Sequence, residues 1–417
     1  MRNGEVWREP ARDLSVLARP DVLVLGGGSA GVAAAVAAGR RGADTWLVER
    51  SGFVGGLATV GLINLLLTMD DGAGTQVVAG LCQEVVDRLA ARGRAAFPPP
   101  GEWDSEDPAL VARWKEAGLV WGAPESVRYS VAFDPEDFVD VCYELLEGAG
   151  VRLRLHTGFA ATHTEGGRVR AVVVESKRGR EVLIPEVVVD ATGDADVAVS
   201  CGAECELVPI PPHLWFRVGG VAADAELGPL AFRTLDAGRL LVPWGPGPDR
   251  VDATDPDDMT RAEVACRRAA RATFDALRRD TPGWSEAWLD DYARMLGITE
   301  SRRLVGDHVL AKEDAGTPLP DAVARTGHWT RRRVWFDIPY RSLKTAAVDN
   351  LLVTGRCIST TRYVHQATKE IPAAMATGEA AGSAAALAAR AGVGVHAVDV
   401  AELRRDLAAA GALVGGV

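Results

Sequence analysis

Residues 21–50 read DVLVLGGGSAGVAAAVAAGRRGADTWLVER. The apolar run at 21–25 has the length of a buried strand. It breaks on glycines and passes into a stretch with Ala33, Ala34, Ala35, Ala37 and Ala38, all strongly helix-favouring. That helix should stop near Gly42, and 45–48 reads as a second strand. Further on, 134–147 places Phe138, Val141, Cys142 and Leu145 on one side of a helix. Asp134 and Pro135 suit its start, and glycines at 148–150 end it. Alternation and β-branched residues predict strands at 152–156, 168–174 and 181–184. Another buried strand at 187–190 runs into ATGDAD at 191–196. The last third repeats the theme. A short apolar strand at 350–353 meets Thr354-Gly355-Arg356, a loop covers 359–363, and a helix follows from about 372 to 389. Gly378, Ala380, Ala381 and Gly382 give that helix a slim face, suited to close helix packing or to a cofactor lying against its backbone. The stretches 97–108 and 243–258 lack periodicity, carry turn residues and read as loops.

The chemistry begins where the first strand meets the first helix. Gly26, Gly28 and Gly31 have the spacing GxGxxG, and Glu49 follows about 20 positions on. The first glycine permits a tight turn, the second lets backbone approach a pyrophosphate, and the third lets helix and strand pack closely. The N–H groups at the helix start, around Ser29 and Ala30, favour a phosphate. Glu49 can accept hydrogen bonds from a ribose and would repel a 2′-phosphate, which disfavours NADP. A strand before, a helix after and an acid at the right distance point to a dinucleotide rather than to a glycine-rich turn in an ordinary α/β unit. NAD and FAD both remain open on these residues.

Composition narrows the partners. The 417 residues make two domains the natural expectation. A net charge of −11 argues against a nucleic-acid partner. Arg331, Arg332 and Arg333 form one basic run, read as a solvated strand end or an anion contact. Arg2, Glu5, Arg8 and Glu9 stand where a secretory signal would need an apolar core. The most apolar patch, 60–67, is too short to span a membrane. A cytoplasmic protein is expected. The six cysteines form no Cys-x-x-Cys pair. Cys201 and Cys205 lack partners for a zinc site, so no metal is expected and the thiols read as reduced packing residues, with a redox dithiol as the alternative.

Taken together, the segments resemble the FAD-dependent oxidoreductases of the glutathione-reductase-like structural group, and within it the broad FAD dependent oxidoreductase family. The matching residues are DVLVLGGGSAGVAAA from 21, VERSGFVGG at 48–56, VVVDATGDADVA at 187–198, ESRRLVGDHVL at 300–310, and NLLVTGRCIS with MATGEAAGSAAALAA across 350–389. The resemblance implies an α/β fold. A discontinuous Rossmann-like FAD-binding domain (15–60, 131–205 and 335–390) would carry an inserted α+β cap or substrate domain (61–130 and 206–334), with the active site between them. It implies FAD as cofactor. Glu49, with Arg50, would face the adenosine ribose; Gly55 and Gly56 would approach the pyrophosphate–ribityl side. Thr192, Gly193 and Asp194 would lie near the adenine end, and Gly355 and Arg356 would reach the middle of the cofactor. Ile371 and Ala374 would bring the N-terminus of the final helix to the flavin ring, where its positive end would stabilise charge on reduced flavin. The chain departs from the family before that helix, with HQATKEIP at 365–372. His365, Lys369 and Glu370 thereby become candidates to face the substrate.

The implied reaction is a two-electron exchange with a small organic molecule, with hydride passing between substrate carbon and flavin. The electron acceptor could be oxygen, a quinone or a nicotinamide. His365, Tyr363 and His308 are the candidate acid–base groups, each with a purely structural alternative. Arg302 and Arg303, beside Glu300, could bind a carboxylate substrate with Lys369, or pair across the domain junction. A flavin monooxygenase is the alternative enzyme. An RNA-modifying or non-catalytic flavoprotein is the reading from another class.

Overall fold

In the computed structural model, residues 6–415 are described, apart from 229, 230, 246 and 248. Arg2, Glu5, Pro246 and Pro248, which enter the readings above, therefore lie outside the described residues. The predicted apolar runs form one parallel sheet. Its elements in chain order are β1 (Val22–Leu25), α1 (Ser29–Arg40), β2 (Thr45–Val48), α2 (Pro135–Gly148), β3 (Arg152–Arg154), β4 (Val187–Asp190), β5 (Leu351–Val353) and α3 (Ile371–Ala391). The strand order is β5-β4-β1-β2-β3, all parallel. The residues of β1, β4 and β5 are buried throughout, which is why they read as unbroken apolar runs rather than alternating ones.

Register decides where a ligand can bind. Leu25 pairs with Val48 on one side and Asp190 on the other, and Asp190 pairs with Val353. Four strands therefore end level, and four loops leave from one edge of the sheet. That edge, beside the point where strand order reverses, is where open α/β sheets take ligands. The helices α1 and α3 cross closely because glycine permits it: a Cβ on Gly378 would stand 2.2 Å from the Ala30 carbonyl oxygen, and one on Gly382 2.0 Å from that of Ala34. The start of α2 is as predicted, with the Asp134 carboxylate accepting from the N–H groups of Glu136 and Asp137 and Pro135 in the first turn.

A second sheet, in the order Ser15–Ala18, Gly179–Leu183, Arg168–Ser176 and Gly158–Glu165, joins a strand that precedes β1 to three from the chain between β3 and β4. The strand Gly158–Glu165 escaped the sequence reading because GFAATHTE has neither a continuous apolar run nor clean alternation. A third sheet joins Phe232–Arg233, Leu240–Gly245, Leu214–Gly219 and Trp288–Tyr292. With the long helix Pro256–Asp280 it encloses a separate core containing Phe216, Val242, Cys266 and Phe274. Leu65 and Trp114 join that core, whereas Val85 and Leu89 of the helix Leu81–Ala91 are buried in the core of the parallel sheet.

Three expected loops are shorter than predicted. Leu240–Gly245 remains a strand, and Pro256 opens a helix capped by Asp255, so 243–258 is loop only in its middle. Pro108 likewise starts a helix capped by Asp107. Arg362 and Tyr363 belong to the helix Arg362–Thr368 rather than to a loop. Proline at a first helical turn accounts for the first two: it punctuates the chain by starting a helix there. All six cysteines are free thiols, four of them buried. Among the described residues no helix is long and apolar enough to cross a membrane.

Candidate active site

One cavity begins at the level ends of β1, β2, β4 and β5 and reaches into the third sheet's layer. Its floor comes from the four strand-end loops: Gly26, Gly28, Ser29 and Ala30; Glu49 and Arg50; Thr192, Gly193 and Asp194; and Thr354, Gly355 and Arg356. Its far end is walled by Trp121, His213, Trp215, Met295, Thr299 and Trp329. Lys369, Glu370, Ile371 and Ala374, where α3 begins, also line it.

The three motif glycines do different things. Gly26 has a φ of +101°, and a Cβ on it would stand 2.4 Å from the Ala191 carbonyl oxygen, so the turn must be glycine. A Cβ on Gly31 would stand 1.8 Å from the Gly26 oxygen, which fixes how closely α1 approaches the loop. A Cβ on Gly28 would meet nothing within 4 Å. Gly28 faces the opening. Gly31 and Gly55 do not line the cavity; Gly55 instead donates its N–H to the Gly27 carbonyl at 2.8 Å and holds the two loops together.

Helix ends mark the cavity as well. The helices Pro108–Glu116, α2, Pro256–Asp280 and Val400–Ala409 each begin on an aspartate whose side chain caps them. Neither α1 nor α3 has a side-chain cap or an acid in its first turn, which is also true of the short helix Arg362–Thr368 away from the cavity. Both α1 and α3 face the cavity with their N-terminal residues, so their unsatisfied N–H groups and positive dipole ends converge on one space.

The charged groups of the floor are held firmly. Glu49 accepts from the Gly27 N–H at 2.6 Å and from the Ser51 N–H and hydroxyl, each at 2.7 Å. Arg356 donates to Asp194 at 2.6 Å, and the Ser301 hydroxyl donates to the same carboxylate oxygen. Burial alone would raise the Asp194 carboxyl; Arg356, Ser301 and Arg50 together hold it below the ordinary range. Beneath them, buried Asp190 takes hydrogen bonds from the N–H and hydroxyl of Thr192 and the N–H groups of Val197 and Ala198. Burial pushes it up to about 6 against those bonds. Asp190 shapes the ATGDAD loop, a role that its apparent place at a strand end concealed.

At the far end, Trp121 and Trp329 meet edge to face with centroids 5.5 Å apart. Lys369 Nζ lies 5.9 Å from the Trp329 ring and 2.9 Å from Glu370. His213 is lowered to about 4 by burial and then by Lys369, so its ring is neutral near pH 7. Its Nδ1 and the Trp329 Nε1 are buried without a hydrogen-bond partner among the described residues.

Several predicted residues fall elsewhere. His365 is fully buried in the helix Arg362–Thr368, with Nε2 3.0 Å from the Thr299 carbonyl oxygen, and burial lowers it to about 3. It supports a lining residue without lining the cavity. Tyr363 is flanked by the cations of Lys312 and Arg331, each 5.4 Å from its ring, and His308 lies 3.3 Å from Asp314. Neither lines the cavity. Arg303 is buried between Glu300 and Glu206, and Arg302 lies 3.4 Å from Asp196, so both arginines already have acidic partners. The basic run is likewise engaged: Arg332 binds Asp104 and Glu106 of the 97–108 segment. Lys369 does line the cavity. His213 and the tryptophans were missed because they lie far apart in sequence and share no period; PHLWF at 212–216, a histidine inside an apolar strand start, was the available local signal.

The profile of the family described as FAD dependent oxidoreductase matches residues 21–241 and 225–407. No curated protein matches the sequence. Among solved structures, the fold is similar to a geranylgeranyl bacteriochlorophyll reductase-like protein of Thermoplasma acidophilum. That protein is 14% identical, over 94% of this chain and 83% of its own, with a TM-score of 0.54. It is also similar to p-nitrophenol 4-monooxygenase of Pseudomonas putida, at 15% identity, over 90% of this chain and 82% of that one, with a TM-score of 0.52.

Proposed function

Because the chain belongs to the FAD dependent oxidoreductase family, we propose that its cavity holds FAD and serves a two-electron oxidation or reduction of a small organic molecule. One observation carries the assignment: two uncapped helix N-termini, α1 and α3, converge on a cavity that ends in a tryptophan wall. The residues fit the cofactor. Gly28 leaves open the space a side chain would fill, and Arg356 keeps a buried Nε without a partner among the described residues beside the cavity. Gly26, Gly28, Ser29 and Ala30 would hold the pyrophosphate, with Gly31, Gly55 and Gly56 shaping the loops around it. Glu49 and Arg50 would hold the adenosine ribose, with Thr192, Gly193 and Asp194 beside them. Gly355 and Arg356 would take the middle, and Ile371 and Ala374 the flavin end. We also place the chain with the glutathione-reductase-like flavoproteins, on the same glycine loop and returning C-terminal helix. The division into 15–60, 131–205 and 335–390 against 61–130 and 206–334 is part of this reading, with the helix Leu81–Ala91 buried against the first unit.

When bound, FAD supplies the acceptor or donor of two electrons. The chain supplies the rest. The α3 terminus offers fixed positive potential to negative charge at the inner end without reorganising. The tryptophans exclude water from that end. His213, rather than His365, Tyr363 or His308, is the imidazole in the wall, and its neutral ring can accept or donate a proton at nitrogen.

The test is the visible spectrum of the purified protein, before and after denaturation and filtration. Flavin bands that pass into the filtrate are expected. A chain that takes up no FAD even when it is added would overturn the assignment. Oxygen consumption driven by NAD(P)H, coupled to hydroxylation of a substrate, would replace simple hydride exchange with the monooxygenase reading.

A further inference from the structure

The far end of the cavity also has a chemical preference. Its surfaces are flat and aromatic on two sides, with Trp121 and Trp329 at right-angled contact. Aromatic substrates gain from such edge and face contacts beyond their buried area. An aromatic wall alone would equally suit a cation, but this one already has its cation: Lys369, 5.9 Å from the Trp329 ring. A second positive charge would meet Lys369 and the uncapped α3 terminus together. Glu370 takes one of the Lys369 N–H groups at 2.9 Å and offsets part of its charge, which leaves the other N–H groups of that ammonium and the uncapped α3 terminus for a ligand.

The hydrogen-bond inventory points the same way. An indole nitrogen only donates, and Trp329 Nε1 is buried with nothing among the described residues to receive it. His213 Nδ1 is also buried without a partner among the described residues, and in the neutral ring it donates or accepts according to the tautomer. Lys369 adds further N–H donors. The Trp329 indole is thus a fixed donor with no acceptor among the described residues, and a buried donor without a partner is costly. A ligand that brings acceptor oxygens removes that cost, and a negative charge on them gains the attraction of Lys369.

We propose, building on the flavin reading, that the substrate is a planar aromatic compound carrying an anionic oxygen group. Its ring lies against Trp121 and Trp329, and its oxygens face Lys369. Lys369 is thereby a specificity-determining residue rather than a proton carrier.

The experiment is calorimetric titration of the FAD-loaded full chain with four probes: 2-naphthoate, 2-naphthamide, (2-naphthylmethyl)ammonium and cyclohexanecarboxylate. Naphthoate should bind about tenfold or more tightly than each of the others, the worth of a charge-assisted hydrogen bond or of the aromatic contact. Lys369→Met should bring naphthoate to the level of naphthamide while FAD content stays unchanged. Equal or tighter binding of the ammonium or of cyclohexanecarboxylate, no binding of naphthoate, or an unaltered preference in the variant would overturn the proposal. A chain that discriminates the probes in this way but takes up no FAD would overturn the flavin reading and leave the chamber assignment standing.

Discussion

The two ends of the cavity are built on opposite principles. In the proposed site the floor would recognise with backbone: glycines, loop N–H groups and two helix ends. The far wall recognises with side chains, chiefly tryptophans, a lysine and a histidine. Backbone recognition needs a contiguous strand, turn and helix, so its residues must sit at fixed short spacings. Side-chain recognition needs only that distant segments meet, so Trp121, His213, Trp329 and Lys369 can come from anywhere. The first kind of site is written locally and the second is assembled by the fold.

Glycine substitutions give the sharpest test of the floor. Gly31→Ala should strain the turn against the Gly26 oxygen and cost the FAD-free protein about 1–3 kcal/mol or more. Gly28→Val points into open space from an ordinary extended backbone, so it should cost the fold only about 1 kcal/mol. It should nevertheless weaken FAD binding by about a hundredfold or more. Denaturation of the FAD-free variants, beside flavin absorbance after reconstitution, separates the two. Equal flavin loading in Gly28→Val and wild type would remove Gly28 from the cofactor site.

Arg356 comes next. Replacing it with Met leaves the partly buried Asp194 carboxylate with the Ser301 hydroxyl as its remaining hydrogen-bond partner, a loss of about 1–3 kcal/mol. Asp194→Asn with Arg356→Met should recover part of that loss in a double-mutant cycle. Additive effects would mean that the pair is not coupled, and that the floor's geometry does not depend on it.

Acidity separates a buried carboxyl from the buried imidazoles. Glu379, on α3, accepts the Leu81 N–H at 2.9 Å, and burial raises it to about 7. The folded state therefore holds a proton that the unfolded chain has lost, and this group's contribution falls as pH rises from about 4.5 to 7. His213 and His328 are lowered by burial to about 4, and His365 to about 3. For them the unfolded chain binds more protons, so stability rises with pH up to about 6.5. Each group contributes a slope of up to about 1.4 kcal/mol per pH unit. Asp190, raised to about 6, acts in the same sense as Glu379; the three histidines outweigh the two carboxyls, so the protein should be more stable at pH 6.5 than at pH 5 in urea unfolding. Glu379→Gln should steepen that difference. A variant with the wild-type slope would show that Glu379 stays ionised.

How much could be read in advance follows the same division. β1, α1, β2 and β4 were legible because a doubly covered strand must be apolar throughout and a turn as tight as that at Gly26 must be glycine. Asp134 and Pro135 announced α2 for the equally local reason that a helix start needs a cap. The helix Pro256–Asp280 was illegible as a core element because only Ala262, Cys266, Ala270 and Phe274 are buried, a narrow stripe of mostly small residues among charges. His365, His308 and Tyr363 were reasonable as residue types, but nothing in their spacing could reveal that Thr299, Asp314 and two cations already surround them. Lys369 was found because it adjoins α3, whose start is local. His213 lies on no such motif.

The smallest expected effect probes the wall alone. Trp329→Phe keeps an aromatic ring against Trp121 but deletes one buried, unpartnered N–H. In the FAD-loaded protein without ligand the change should be neutral or slightly stabilising, because the deleted donor was unsatisfied. Flavin content should not change, since Trp329 is no part of the floor. With an anionic aromatic probe the donor becomes useful, and its loss should weaken binding about fivefold, the worth of one neutral hydrogen bond. The pair of measurements matters more than either one. Weaker probe binding with equal or higher stability means that the indole N–H is kept for a ligand. Lower stability with unchanged probe binding means that Trp329 is packing, and that the wall selects by shape alone.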